Sequence, residues 1–461
     1  MTSQPSQNQT VKYITLVVTA MGAFLTPFMS SSINIALPSI GKEFTMDAVL
    51  LGWVATSYLL AAAIFVLPCG RLGDLYGRKK LFLYGTVLYA ASSFLSAVAP
   101  SAVLLIGFRI LQGIGAAMIF GTVIAILTSV FPLGERGKAI GINVASTYSG
   151  LSLGPVLGGF LTQHFGWRSI FLLNVVGGLI IIGGVLWKLT GEWAEAKGER
   201  FDWVGALLSS LMLVAVILGF SRLPALPGVG LILAGIVALV VFVWWERRVR
   251  YPLLPIELFS QNRVFAFSNL AALINYSATF AIGFLLSLYL QYIKGLTPQN
   301  AGLILVAQPI MMAIFSPFAG RLSDRIESRI LASTGMGLIV VGLIGFSLLS
   351  DHTPIAYITA ILLLVGIGFA LFSSPNMNAI MSSVEKRFYG IASATLATMR
   401  STGQALSIGL VMLIFTLYIG KVQITPAYYA PFLTSVKIAF ATFALLCGLG
   451  VVVSLVRGNV R

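Results

Sequence analysis

Gly70-Arg71-Leu72-Gly73-Asp74-Leu75-Tyr76-Gly77-Arg78-Lys79-Lys80 is a polar, glycine-rich stretch between two apolar runs, near residues 49 to 69 and 81 to 99. Its first five residues recur as Gly320-Arg321-Leu322-Ser323-Asp324, at an offset of 250 and again just after an apolar run. A second echo aligns Gly113-Ile114-Gly115 with Gly366-Ile367-Gly368, Gly137 with Gly390, and Gly150 with Gly403, all at an offset of 253. Two similar offsets in unrelated segments predict a duplicated unit. Two parallel helical repeats meeting at a midplane site are a transporter architecture, because rocking one repeat against the other gives alternating access.

Outward from that stretch the chain is apolar. Of 461 residues, 58% are hydrophobic and 9% charged, against roughly a quarter charged in a soluble domain, so a water-soluble fold is excluded. With about 20 apolar residues needed per crossing helix, fourteen spans are predicted near 13–37, 49–69, 81–99, 101–130, 138–163, 168–188, 203–221, 228–245, 264–292, 299–319, 330–349, 355–379, 389–418 and 433–456. The polar inserts 190–202 and 246–263 bracket spans seven and eight. The expected order is a tail at 1–12, a six-helix bundle at 13–189, an inserted hairpin with its linkers at 190–263, and a second six-helix bundle at 264–461.

The formal net charge of +15 would suggest nucleic acid in a soluble protein; here the bilayer explains it. With the N-terminus in the cytoplasm, about 21 of the 29 Lys and Arg residues, Arg457 among them, fall on the cytoplasmic side, the asymmetry of the positive-inside rule. Both termini are then cytoplasmic. Cys69 and Cys447 lie in apolar runs without His or Cys at ligand spacing, so neither a disulfide nor a metal is expected. No catalytic triad or nucleotide-binding loop was found, so no enzyme and no cofactor are expected.

The 70–80 stretch resembles the loop signature of the major facilitator superfamily, and Arg109-x-x-Gln112-Gly113 resembles its fourth-helix motif. Gly150-x-x-x-Gly154-Pro155-x-x-Gly158-Gly159 resembles the motif marking the superfamily's antiporters. Together with fourteen spans and Asn34-x-Ala36-Leu37-Pro38 closing the first, the match is to the fourteen-helix drug/proton antiporter branch, across essentially the whole chain. The implied fold is all-α and integral to the membrane: two six-helix bundles plus an inserted two-helix hairpin.

Each motif also has a physical reading. In the loop, Gly70, Arg71, Asp74, Gly77 and Arg78 form a gate latch, in which Asp74 caps a neighbouring helix N-terminus and pairs with a base in one state; Arg321 and Asp324 form its copy. Gly150, Gly154 and Gly158 fall on one helical stripe beside Pro155 and Gly159, and are expected to pack against the other half and close a leak path. Arg109 and Arg400 lie deep in apolar spans, where an arginine costs at least about 2.5 kcal/mol and must face water, ligand or a polar partner. Asn34, Tyr58, Gln112, Asn143, Tyr148, Asn275, Tyr276, Gln308, Asn376 and Gln404 complete the expected lining of a central cavity.

Relatives that expel cations carry an acid in the first span, whereas this chain reads Met29-Ser30-Ser31-Ser32-Ile33-Asn34 there, and all fourteen carboxylates lie in loops or at span ends. A cavity with arginines and no acid disfavours organic cations. The expected function is export of small amphipathic organic compounds by a monomer in the plasma membrane, exchanged for protons as the resemblance implies. Translocation of a lipid or lipid precursor, and facilitated passage of a neutral or anionic metabolite, remain as alternatives.

Overall fold

The computed structural model describes residues 4–458 apart from 190, 195, 224, 255, 324, 386–388 and 421; Asp324 of the expected second latch therefore lies outside the described residues. The chain is all-helical. Its first bundle comprises α1 Gln4–Glu43, α2 Ala48–Tyr76, α3 Arg78–Ala97, α4 Ala102–Val130, α5 Leu133–Phe165 and α6 Arg168–Lys188. A hairpin of α7 Trp203–Arg222 and α8 Leu226–Glu246 follows, then the short α9 Glu257–Gln261. The second bundle comprises α10 Arg263–Thr279, α11 Ala281–Leu288, α12 Pro298–Leu305, α13 Ala307–Ser323, α14 Ser328–Ser347, α15 Ile355–Ser382, α16 Tyr389–Tyr418 and α17 Tyr429–Val456.

Among the described residues, twelve helices are long and apolar enough to cross a membrane. α3 and α5 fall outside that set: α3 opens with Arg78, Lys79 and Lys80, and α5 carries Glu135, Asn143, Tyr148, Gln163 and His164. Helix α1 starts at Gln4, so it takes in most of the segment expected as a tail. Several starts are set by side chains that take up free N–H groups: Asp47 accepts from Leu50 N at 2.7 Å, Asp202 from Gly205 N at 2.9 Å, and Asn262 from Phe265 N at 2.9 Å. Two expected spans are broken. Ser407 Oγ takes the N–H of Ala281 at 3.0 Å where α10 gives way to α11. Pro309 cannot donate to Leu305, and the helix breaks at Val306.

The duplication read from the sequence is built into the packing. A side chain at Gly113 would strike Tyr58 O of α2, and one at Gly366 would strike Gln308 O of α13. Gly85 and Gly115 bring α3 onto α4 as Gly335 and Gly368 bring α14 onto α15. Gly150 lies under Phe24 O of α1, and Gly403 under Leu273 O of α10. In each pair, glycine lets two backbones meet where a Cβ would hold them apart.

The hairpin lies outside both bundles, α7 packing on α2 of the first and α16 of the second. Apolar side chains such as Leu226, Leu233, Val240, Leu445 and Leu449 are exposed, as a lipid-facing surface requires. Trp187, Trp203 and Trp244 are exposed at the bundle end that carries the 70–80 loop, the position of an interfacial aromatic belt.

Candidate functional site

The two bundles are tied together at the end opposite the 70–80 loop, called here the far end; the loop end is the basic end. At the far end Ser287 Oγ donates to Asn34 O (2.7 Å) and Gln291 Nε2 to Ile35 O (3.1 Å). Ala48 N donates to Val422 O (3.0 Å), and Gln423 Nε2 to Thr45 O (3.0 Å). Helix α12 seats Gly302 against Pro155 O of α5, and Gly159 against Pro298 O. Thus Pro155 and Gly159 do meet the other half. The stripe Gly150, Gly154 and Gly158 does not: it packs on α1 of its own half, against Phe24, Ser31 and Ser32, and Ser32 Oγ donates to Gly154 O at 3.0 Å. The expected cross-half stripe is corrected accordingly; glycines at this spacing report a close helix neighbour without saying which one.

Between the bundles, on the near side of that seal, lie two adjoining hollows. The upper takes in about 830 Å³ of empty space, its open mouth included, and is lined by Asn34, Pro155, Gln308, Met312 and Phe369 among others. The lower takes in about 1610 Å³ of empty space, its open mouth included, and is lined by Tyr58, Asn143, Phe372, Ser373, Asn376 and neighbours, reaching Ala125 on α4 and Ser393 on α16 near the basic end. Ser30, Tyr148, Leu151, Tyr276, Phe280, Arg400 and Gln404 line both, so they form one central space.

Of the residues expected to line a cavity, Asn34, Tyr58, Asn143, Tyr148, Tyr276, Gln308, Asn376, Arg400 and Gln404 do so. Where the hollows meet, Arg400 lies over the Tyr276 ring at 5.6 Å, and Tyr276 packs edge-on to Phe369 at 5.6 Å. Tyr148 Oη and Ser373 Oγ share a hydrogen bond of 2.7 Å across the two halves. Among the described residues, neither lining contains Asp, Glu or His, and Arg400 is the single charged side chain in them.

Arg109, Gln112 and Asn275 are not in the lining. Arg109 is fully buried inside the first bundle. Its Nε donates to Val54 O (3.0 Å), its Nη1 to Gln112 Oε1 (2.6 Å), and its guanidinium lies 4.4 Å from the Tyr58 ring centre. Gln112 Nε2 donates in turn to Ser93 Oγ (2.7 Å), Ser93 Oγ to Tyr89 O (2.6 Å), and Tyr89 Oη to Asn174 Oδ1 (2.9 Å). Tyr58 thus separates Arg109 from the cavity, touching both. Asn275 is buried with neither amide atom hydrogen-bonded.

At the basic end, Asp74 pairs with Arg78 of its own loop, accepting from Nε at 2.7 Å. Arg78 reaches the last turn of α4 by donating to Ser129 Oγ (2.7 Å) and Ala125 O (3.3 Å). The linker that follows α6 is docked on the same loop. Arg71 pairs with Glu199, Arg78 N donates to Trp193 O (2.9 Å), Ala196 N to Asp74 O (3.0 Å), and Lys79 N to Glu192 Oε1 (2.9 Å). Gly77, with φ of 119°, gives Glu192 its place, since any side chain there would strike that carboxyl. The counterpart Arg321 is exposed, and Gly320 lies beside Ser374.

Arg457, counted among the basic residues of the loop end, follows the last turn of α17 at that end. It is fully buried at the foot of α17, and its Nη1 donates to Asn376 Oδ1 (2.9 Å) and Ser268 Oγ (3.4 Å). Burial holds its guanidinium down to about 10. It fixes a cavity residue from behind, because Asn376 Nδ2 then turns to Ser268 O at 3.1 Å. Nothing local marks it, since a single arginine just past an apolar run reads as an interfacial charge. Ser30, Ser373, Phe280 and Met312 also line the cavity without a local signal, being ordinary helix residues whose facing is set by neighbours.

Comparison with known proteins agrees with this architecture. The model of the Major Facilitator Superfamily matches residues 19–408 and 268–459. The chain is 32% identical over 397 residues to the riboflavin transporter RibZ of Clostridioides difficile, covering 86% of each chain. It is 31% identical to the multidrug resistance protein Stp of Mycobacterium tuberculosis, over 85% of this chain and 74% of that one. It is 28% identical to the tetracenomycin C resistance and export protein of Streptomyces glaucescens, over 88% and 77%. In fold it is similar to a bacterial homologue of the human lysosomal transporter Spinster, in an inward-facing conformation, with a TM-score of 0.68 at 14% identity over 99% and 97% of the two chains.

Proposed function

The chain belongs to the Major Facilitator Superfamily and is a multi-pass membrane transporter, and from that premise we propose that it exports small amphipathic organic compounds by alternating access. The observation that carries the reading is the central space between the bundles, apolar and aromatic with amide and hydroxyl handles, one arginine and no carboxylate. Such a lining takes compounds with a large apolar body through Tyr276, Phe280, Phe369 and Phe372, and orients them by hydrogen bonds to Asn34, Gln308 and Gln404. Relatives named for multidrug resistance and antibiotic export support it. The preferred charge class is neutral or anionic, since an organic cation would meet Arg400 with no acid to offset it.

We place fourteen helices across the plasma membrane, with α3 and α5 crossing despite their polar residues because α3 packs on α4 and α6, and α5 on α1 and α12. The basic end faces the cytoplasm, which makes both termini cytoplasmic and the described conformation open inward. One chain is the transport unit, and protons are the counter-ion. A second reading, facilitated passage of a neutral or anionic metabolite, is favoured by the likeness to a riboflavin transporter.

Purified protein in liposomes, offered neutral, anionic and cationic fluorescent amphiphiles with and without a pH gradient, tests these statements. Gradient-driven accumulation of neutral and anionic probes is expected. Flux indifferent to the gradient replaces antiport by facilitation, and saturable transport of a quaternary ammonium dye overturns the charge preference.

A further inference from the structure

The hairpin contains a pair of buried carboxyl groups that the transport reading does not use. Asp202 caps α7 and also accepts from Trp245 Nε1 on α8 at 2.9 Å. Glu246, the last residue of α8, is 3% exposed, and its Oε2 accepts from Leu254 N at 3.0 Å. Its second oxygen, Oε1, is buried without any donor. A side chain at Gly205 would collide with Asp202 Oδ2 and Glu246 Oε1 alike, so the two oxygens converge on one point. That convergence explains the glycine in the first turn of α7.

Two acceptor oxygens facing one another in an apolar pocket repel unless a hydrogen lies between them. No base supplies it. Among the described residues, neither carboxyl has a Lys, Arg or His within salt-bridge distance. The charged groups of the surrounding elements are engaged elsewhere or point outward. Arg71 of α2 pairs with Glu199 of the preceding linker. Lys197 and Arg200 of that linker and Arg247 after α8 are exposed. Arg248 stacks on Trp244 at 4.1 Å, and Arg250 on Tyr251 at 5.4 Å.

We propose that Asp202 and Glu246 hold one proton between them, and that this protonated pair, outside the substrate cavity, clamps the segment after α8 to the foot of the hairpin. The segment is the connection to the second bundle. Leu253, Leu254 and Ile256 pack there with Phe242 of α8 and Leu67 of α2, so the clamp joins the hairpin, the first bundle and the tether of the second. Loss of the proton leaves two carboxylates in contact at low dielectric and releases the tether. Docking is therefore present at acidic pH and lost as pH rises. The proposal depends on the membrane fold and not on what is transported.

The test uses the full chain in lipid nanodiscs. Infrared difference spectra between acid and alkaline buffer should contain a protonated-carboxyl band that shifts in deuterated water, is absent from Asp202→Asn and from Glu246→Gln, and persists in the control Asp351→Asn on an exposed loop. Each amide places an N–H where the proton was, so both variants keep the clamp. Trypsin cleavage after Arg247, Arg248 and Arg250, relative to cleavage at other sites, should rise with pH in the unaltered protein and stay flat in both variants. A spectrum without such a band, a band that survives in both variants, or variants that keep the original cleavage profile would each overturn the proposal.

Discussion

Arg109 and Arg400 both lie inside apolar helices, one in each half, yet they do opposite things. Arg109 is sealed inside the first bundle, with a carbonyl and an amide as partners and the Tyr58 ring against it. Arg400 faces the central cavity and lies over Tyr276. They are not repeat mates: at the offset of 253, Arg109 corresponds to Leu362 and Arg400 to Thr147. The glycine contacts, by contrast, are duplicated between the halves. The duplication therefore preserves the scaffold, while the charges are particular to each half. Helix packing has to be repeated for the bundles to rock as equals, whereas a cavity needs its charge once.

The comparison breaks first at Arg109. Arg109→Ala leaves Gln112 Oε1 and Val54 O without their donor and a void beside Tyr58, so stability should fall by about 2–4 kcal/mol, read as thermal unfolding in detergent. An Arg109→Ala protein as stable as the original would remove the structural side of the contrast. Next, Gly113→Ala and Gly366→Ala each force a methyl group onto a neighbouring carbonyl, and each should cost about 1–3 kcal/mol. Equal losses sharpen the case for an equivalent scaffold; a loss in one alone breaks it.

Arg400→Ala should leave the unfolding temperature unchanged and lower uptake of anionic probes about tenfold, or about 1.4 kcal/mol, with neutral probes little affected. The smallest effect is expected from Tyr148→Phe, which removes the hydrogen bond to Ser373 between the halves, worth about 0.5–1.5 kcal/mol. Labelling of a cysteine introduced at Ala125, on the lower cavity wall, should become modestly faster. An unchanged rate would mean that the bond does not help hold the halves together.

Much of the fold was legible because a bilayer imposes a one-dimensional rule: each crossing needs a long apolar run, and charges mark its ends. The inserted hairpin was legible from its flanking polar linkers for the same reason. The site was legible in part. Polar residues inside apolar runs are few enough that most of those picked out do line the cavity, and the arginine among them that does not, Arg109, satisfies its donors inside its own bundle instead. Within the latch set, the pairing of Asp74 with Arg78 one turn along is a contact as local as any helix pair, yet Ser129 and the docked linker orient the guanidinium.

By itself the sequence determined the membrane class, the twofold repeat, the hairpin, and that every carboxylate stands in a loop or at a span end, because each follows from which residues occur and at what spacing. Tertiary structure decided which neighbour a glycine stripe meets, that Arg109 is enclosed while Arg400 is presented, that Arg457 is drawn in behind Asn376, and that Asp202 meets Glu246 across the hairpin. All of these depend on the rotation of each helix about its axis. In a chain apolar on nearly every face the hydrophobic pattern hardly constrains that angle, and close packing sets it instead.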